Sequence, residues 1–217
     1  MRDLAQTHVV AKAAAGAAVT AFVCHSRFVL WPDRPLEVWT LSGVVFFAAF
    51  FLWGSVFAWH EKYSGRPVVD LAFRPKAWAR ATVLGLSGAA LMAVFLDPVL
   101  RPLTPQVYPT NLSEWVSMTL FTAAFAQLCL CFAPLAFALR LLPSAPHAAV
   151  AAVVWALSVT VLKFYGLPQP VGPLSSVAVL AARGASAAAC VWFYWEGGLP
   201  LALWWTLLLE LRHFAAF

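Results

Sequence analysis

The sequence predicts an all-α fold, a polytopic transmembrane bundle of about seven helices that forms a single integral membrane domain over residues 1–217. Three observations predict it. Hydrophobic residues make up 63% of the chain and charged residues only 11%, whereas a soluble domain carries about 25% charged residues. Mean hydropathy is +0.81, more apolar surface than a water-soluble fold of this length can hide. The apolar residues also fall into segments close to the roughly 20 residues that a bilayer-spanning helix needs.

Each element has its own justification. Residues 9–30 form the weakest span, because Lys12, His25 and Arg27 interrupt it; it either crosses the membrane, with Lys12 and Arg27 snorkelling from near its ends, or lies in the interface. After the tight loop "WPDRP", residues 36–59 are a span rich in Phe and Trp, with Trp39, Trp53 and Trp59 distributed as interfacial anchors. The stretch His60 to Lys76, extended to Arg80, holds five basic residues (Lys62, Arg66, Arg74, Lys76, Arg80) against Glu61 and Asp70. The positive-inside rule places it in the cytoplasm.

Residues 77–96 span again, with Gly85 and Gly88 giving a neighbouring helix room to approach. "DPVLRPLTPQVYPTNLSEW" is expected to be a stiff, non-helical surface segment because of its four prolines. At its end, Asn111 followed three residues later by Glu114 and an apolar run is a helix-start signature. Residues 115–142 make a span long enough to tilt, with Pro134 expected to kink it. Residues 148–164 come next, then the uncharged loop "YGLPQPVGPLSS", a span at 177–195, and residues 198–217 as a last crossing or a re-entrant helix. Seven crossings put the N-terminus on the side of the basic loop and the C-terminus on the other.

Several chemistries are excluded or unsupported. The four cysteines, Cys24, Cys129, Cys131 and Cys190, lie in apolar segments and form neither a disulfide framework nor a metal-type CxxC pair. The net charge of +5 sits in short loops and helix ends without the aromatic interleaving of a nucleic-acid surface. No His-x-x-x-His pair supports zinc, and no Gly-rich phosphate loop or Gly-x-Ser-x-Gly occurs. No cofactor is expected. Ionisable and amide groups at membrane depth are functional candidates by default, and here they are Arg80, Gln127, Lys163, Arg183, Glu210 and His213. Snorkelling accounts for Arg80 and Arg183.

Three stretches carry a resemblance. "FTAAFAQLCLCFAPLAFALR" (Phe121 to Arg140), "VVWALSVTVLKFYG" (Val153 to Gly166) and "CVWFYWEGGLPLALWWTLLLE" (Cys190 to Glu210) resemble, in order, spacing and loop character, helices of the CPBP (CAAX-processing and bacteriocin-processing, or Abi) intramembrane proteases. The likeness runs from about Ala77 to the C-terminus. It implies a CPBP-like helical fold in a bacterial inner membrane. The family's paired glutamates fall at Ala126 and Gln127 and its arginine near Cys131. Its phenylalanine and histidine fall near Val159 and Lys163, and its final histidine and asparagine near Thr206 and Glu210. Glutamine can hold a water but cannot take its proton at neutral pH, so general-base catalysis is lost there.

The resemblance, with its catalytic residues replaced, implies a catalytically silent relative in which Gln127, Lys163, Thr206 and Glu210 line a polar pocket, and which binds another membrane protein, a peptide or a lipid within the bilayer. The alternatives are an active endopeptidase with replaced residues, for which Glu210 and Lys163 would form the acid/base pair, or a small transporter or lipid-handling protein. Gln127 could equally do no more than hydrogen-bond a neighbouring helix.

Overall fold

The computed structural model describes residues 3–31, 34–105, 108–166 and 172–216; parts of the "WPDRP", "DPVLRPLTPQVYPTNLSEW" and "YGLPQPVGPLSS" segments lie outside them. Six helices are long and apolar enough to cross a membrane: α1 (Thr7–Val29), α2 (Val38–Ser64), α3 (Pro75–Leu100), α4 (Leu112–Leu141), α5 (Ala145–Tyr165) and α6 (Pro173–Glu210). Among the described residues there is no strand. This is an integral membrane protein by the length and composition of its helices.

Local chemistry sets the helix starts. Asn111 caps α4 by accepting a hydrogen bond from the Glu114 N–H at 3.0 Å, while the Glu114 carboxylate reaches back to accept from the Thr110 N–H at 2.8 Å. α3, α5 and α6 each carry a proline in the first turn, where its missing N–H has no partner to lose.

Prolines inside α3 and α4 are absorbed by π turns. Pro98 comes after the π turn Met92–Leu96, and Pro134 after Leu128–Phe132. A proline ring collides with the carbonyl four residues back. Those carbonyls belong to Val94 and Leu130, both inside the widened turns, so each helix continues past its proline. The expectation that the chain is non-helical from Asp97 is corrected accordingly: α3 runs on to Leu100, with Pro98 in the first turn of its last segment.

α6 is not one straight rod. Phe193 and Trp205 have ring centroids 5.2 Å apart, although twelve residues of straight helix would separate them by about 18 Å. The chain turns back at Gly197 and Gly198, the latter at φ +65°, giving an outgoing limb (173–196) and a return limb (199–210). The expected seventh crossing is therefore a shorter element. Its twelve helical residues rise about 18 Å, against a hydrocarbon core of about 30 Å, before the 3₁₀ turn Leu211–Ala216. The return limb packs closely along α3, because Gly85 and Gly88 of α3 leave space for Leu208 and Leu209.

The two ends of the bundle differ in chemistry. At one end Asp3 pairs with Lys62 at 2.8 Å, Arg74 with Asp70 at 2.6 Å, and Arg80 with Glu196. There the segment 65–74 laps over the α6 turn, with the Leu199 N–H donating to the Val68 carbonyl at 2.8 Å and Arg66 donating to the Trp195 carbonyl at 2.7 Å. At the other end Arg212 pairs with Asp97 at 3.1 Å, and the Trp115 indole donates to the Glu210 carbonyl at 2.9 Å. The start of α1 thus shares an end with the basic segment, and the 3₁₀ turn sits at the opposite end. α1 lies along α2 and buries Ala13, Ala17, Thr20, Cys24 and Phe28 over its whole length, which selects a bundle helix over an interfacial one. A row of rings crosses the core from Trp53 of α2 to Phe132 of α4, then Tyr194 of α6, then His60 of α2, with centroids 6.4, 4.8 and 4.6 Å apart.

Candidate functional site

The return limb of α6 separates two cavities. Its residues Leu199, Leu203 and Leu207, spaced four apart and so stacked on one helix face, line the first; Thr206, Leu209 and Glu210 line the second.

The second cavity is small and polar, about 100 Å³. It brings together Gln127, Thr206 and Glu210 and adds Thr122, Arg183, Ser186 and Arg212. Lys163 is not in its wall. It lies in the last turn of α5. Gln127 stands between the π turns Thr122–Ala126 and Leu128–Phe132, and its Oε1 accepts from the Cys190 thiol at 3.3 Å. The half-buried amide thus has a partner in α6, and Cys131 and Cys190 are both buried.

Thr206 donates to the Ala202 carbonyl at 3.0 Å, a bond within its own helix. Glu210 is the one carboxylate in the wall, 3.7 Å from His213 through Oε2. Arg212 of the wall is held by Asp97, which also accepts from the Tyr108 hydroxyl at 3.0 Å. Burial, reinforced by Asp97, raises the Tyr108 phenol well above its ordinary range, so it remains a donor. Among the described residues, no hydroxyl of the wall is hydrogen-bonded to Glu210.

The first cavity is a cleft of about 800 Å³. α1 forms one wall through Lys12, Gly16, Val19, Thr20 and Val23. The return limb forms the other, and Trp53, Phe57, Ala123, Ala124 and Phe132 lie between them. Its shape depends on Gly16, because a Cβ there would come 3.0 Å from the Trp53 indole, whose N–H donates to Thr20 at 3.0 Å. With Thr20 bound to that indole and, through its own hydroxyl, to the Gly16 carbonyl at 2.8 Å, the charged side chains of the lining are Lys12 and Glu61. Both sit at the end shared with the 65–74 segment, which contributes Pro67, Val68 and Val69.

Sequence reasoning missed the cleft because its walls are leucine, alanine and valine, which look like lipid-facing residues in a sequence. A usable signal existed in Lys12 and Glu61, two charges at matching depth on consecutive helices. Arg183, expected to snorkel, instead lines the polar cavity.

No family model matches this chain, no curated protein matches it, and no solved structure matches it.

Proposed function

We propose that this chain is a non-catalytic membrane protein that seats the hydrocarbon chain of a membrane lipid in the cleft between α1 and the return limb. The observation that carries this reading is the cleft itself: about 800 Å³, within the range of ligand sites, apolar along its length and charged at one end only. An amphiphile with a single polar end has that profile. A soluble metabolite would need polar groups distributed along the site, and a transmembrane segment of a partner would not need charges confined to one rim.

The polar cavity supports a structural part for Gln127, Thr206 and Glu210 better than a catalytic one. A volume of about 100 Å³ leaves no room for a peptide bond with its flanking side chains, and an amide stands where a peptidase of the CPBP kind needs a carboxylate. The CPBP likeness contributes segment order alone, and the lipid reading does not depend on it. On the positive-inside rule the end bearing Lys62, Arg66, Arg74, Lys76 and Arg80 faces the cytoplasm, which for a bacterial protein means the inner membrane and a lipid drawn from its inner leaflet.

A phospholipid carrying a photoreactive diazirine along one acyl chain tests this. Illumination of the protein in bilayers followed by peptide mapping should concentrate adducts on α1, on 53–57 and on 199–207. Adducts spread evenly over the outer faces of α3 and α5 would refute the cleft as a binding site.

A further inference from the structure

At the charged end of the cleft most ionic groups are already satisfied. Lys62 is paired with Asp3, Arg74 with Asp70 and Arg80 with Glu196, while Arg66 is held by the Trp195 carbonyl and Arg140 lies over the Trp59 ring at 4.3 Å. Lys12 and Glu61 are different. Both line the cleft and both are exposed, and among the described residues neither makes a hydrogen bond or an ion pair with any side chain. The Lys12 ammonium sits 6.0 Å from the centroid of Phe57, and Glu61 lies on the same cleft-facing side of α2 about one turn beyond Phe57. Two opposite charges therefore line one end of an apolar groove without pairing with each other.

Resting on the proposal that the cleft seats a lipid chain, we infer that this rim selects a zwitterionic phospholipid whose headgroup carries a phosphate and a primary ammonium, the phosphate on Lys12 and the ammonium on Glu61. A purely anionic headgroup would satisfy Lys12 and be repelled by Glu61. A quaternary ammonium has no N–H to donate to Glu61, and the aromatic cage that such groups use instead is missing: Phe57, the ring in the lining nearest the rim, already faces Lys12. The carboxylate at the rim is the element that distinguishes the amine from its methylated counterpart.

The test is retention from mixed micelles holding equal parts of three phospholipids with identical chains and phosphoethanolamine, phosphocholine or phosphoglycerol headgroups, with bound lipid counted by native mass spectrometry. The wild-type protein should retain the phosphoethanolamine lipid about threefold over either competitor, the scale of an exposed ion pair. Glu61→Gln should erase the preference over phosphocholine by lowering retention of the phosphoethanolamine lipid about threefold, and Lys12→Gln should lower retention of all three. Equal retention by the wild type, or a preference that survives Glu61→Gln, overturns the headgroup assignment and leaves the cleft standing. Total retention unaffected by Leu203→Trp, which fills the cleft away from the rim, overturns the cleft and the headgroup assignment with it.

Discussion

Two faces of one short helix make opposite environments. Toward α1 the return limb presents Leu199, Leu203 and Leu207 to a cleft of about 800 Å³; toward α4 and the outgoing limb it presents Thr206 and Glu210 to a cavity of about 100 Å³. In the large space almost nothing polar needs a partner. In the small one Gln127 takes the Cys190 thiol, Thr206 bonds its own helix, and Arg212 pairs with Asp97. The difference teaches that the polar groups inside this membrane domain hold helices together, whereas the room for a ligand is where polar groups are absent.

The comparison breaks most completely if the turn that creates the return limb is lost. Gly198 has φ +65°, and a Cβ there would come within 2.8 Å of the Val68 carbonyl oxygen and the Asp70 nitrogen. Gly198→Ala is expected to cost about 2–5 kcal/mol from left-handed backbone and overpacking combined, read as a large fall in melting temperature in detergent. Gly43→Ala is the control, with open space around it and a gain of about 0.5–1 kcal/mol expected from helix propensity.

A smaller break separates the return limb from α3 without touching the turn. A Cβ on Gly85 would lie 2.8 Å from the Leu208 Cβ, so Gly85→Ala should cost about 1–3 kcal/mol and loosen both cavities, visible as faster hydrogen exchange over 199–210. Leu203→Trp sharpens the contrast by filling the cleft alone: lipid affinity should drop about tenfold, equivalent to 1.4 kcal/mol, with the melting temperature held. Gln127→Leu acts on the other face. It removes the acceptor of the Cys190 thiol and should cost only about 0.6 kcal/mol, the average for a hydrogen bond between membrane helices, with lipid retention unchanged.

The legibility of each feature in the sequence depends on its physics. Hydropathy placed the spans, and the helix starts and the doubled glycine at 197–198 marked where the chain begins, stops or turns, because caps and left-handed backbone depend on residues adjacent in sequence. The reversal of α6 was readable as a boundary between 177–195 and 198–217. Whether the second piece crosses or re-enters was left open, because its 3₁₀ ending is set by packing around Asp97, Tyr108 and Arg212.

The resemblance put Gln127, Lys163, Thr206 and Glu210 around one pocket, and what the sequence could not give was the helical rotation of Lys163 and Arg183. Gln127, Thr206 and Glu210 face one cavity, Lys163 stands outside it, and Arg183 joins it. All of them looked alike as isolated polar positions on apolar helices. The π turns of α4 rotate the faces of this helix relative to an ideal 3.6-residue repeat, so a helical repeat alone does not give the direction of Gln127.

The central claim is that the cleft holds a lipid chain, and the most direct measurement is the number of phospholipids bound per protein after exhaustive detergent exchange. The wild type should keep about one, as one ligand-sized site requires, and a Leu203→Trp protein of unchanged melting temperature should keep only background. Equal amounts on the two proteins would mean that the cleft is an unoccupied groove and that the lipid-seating claim is wrong.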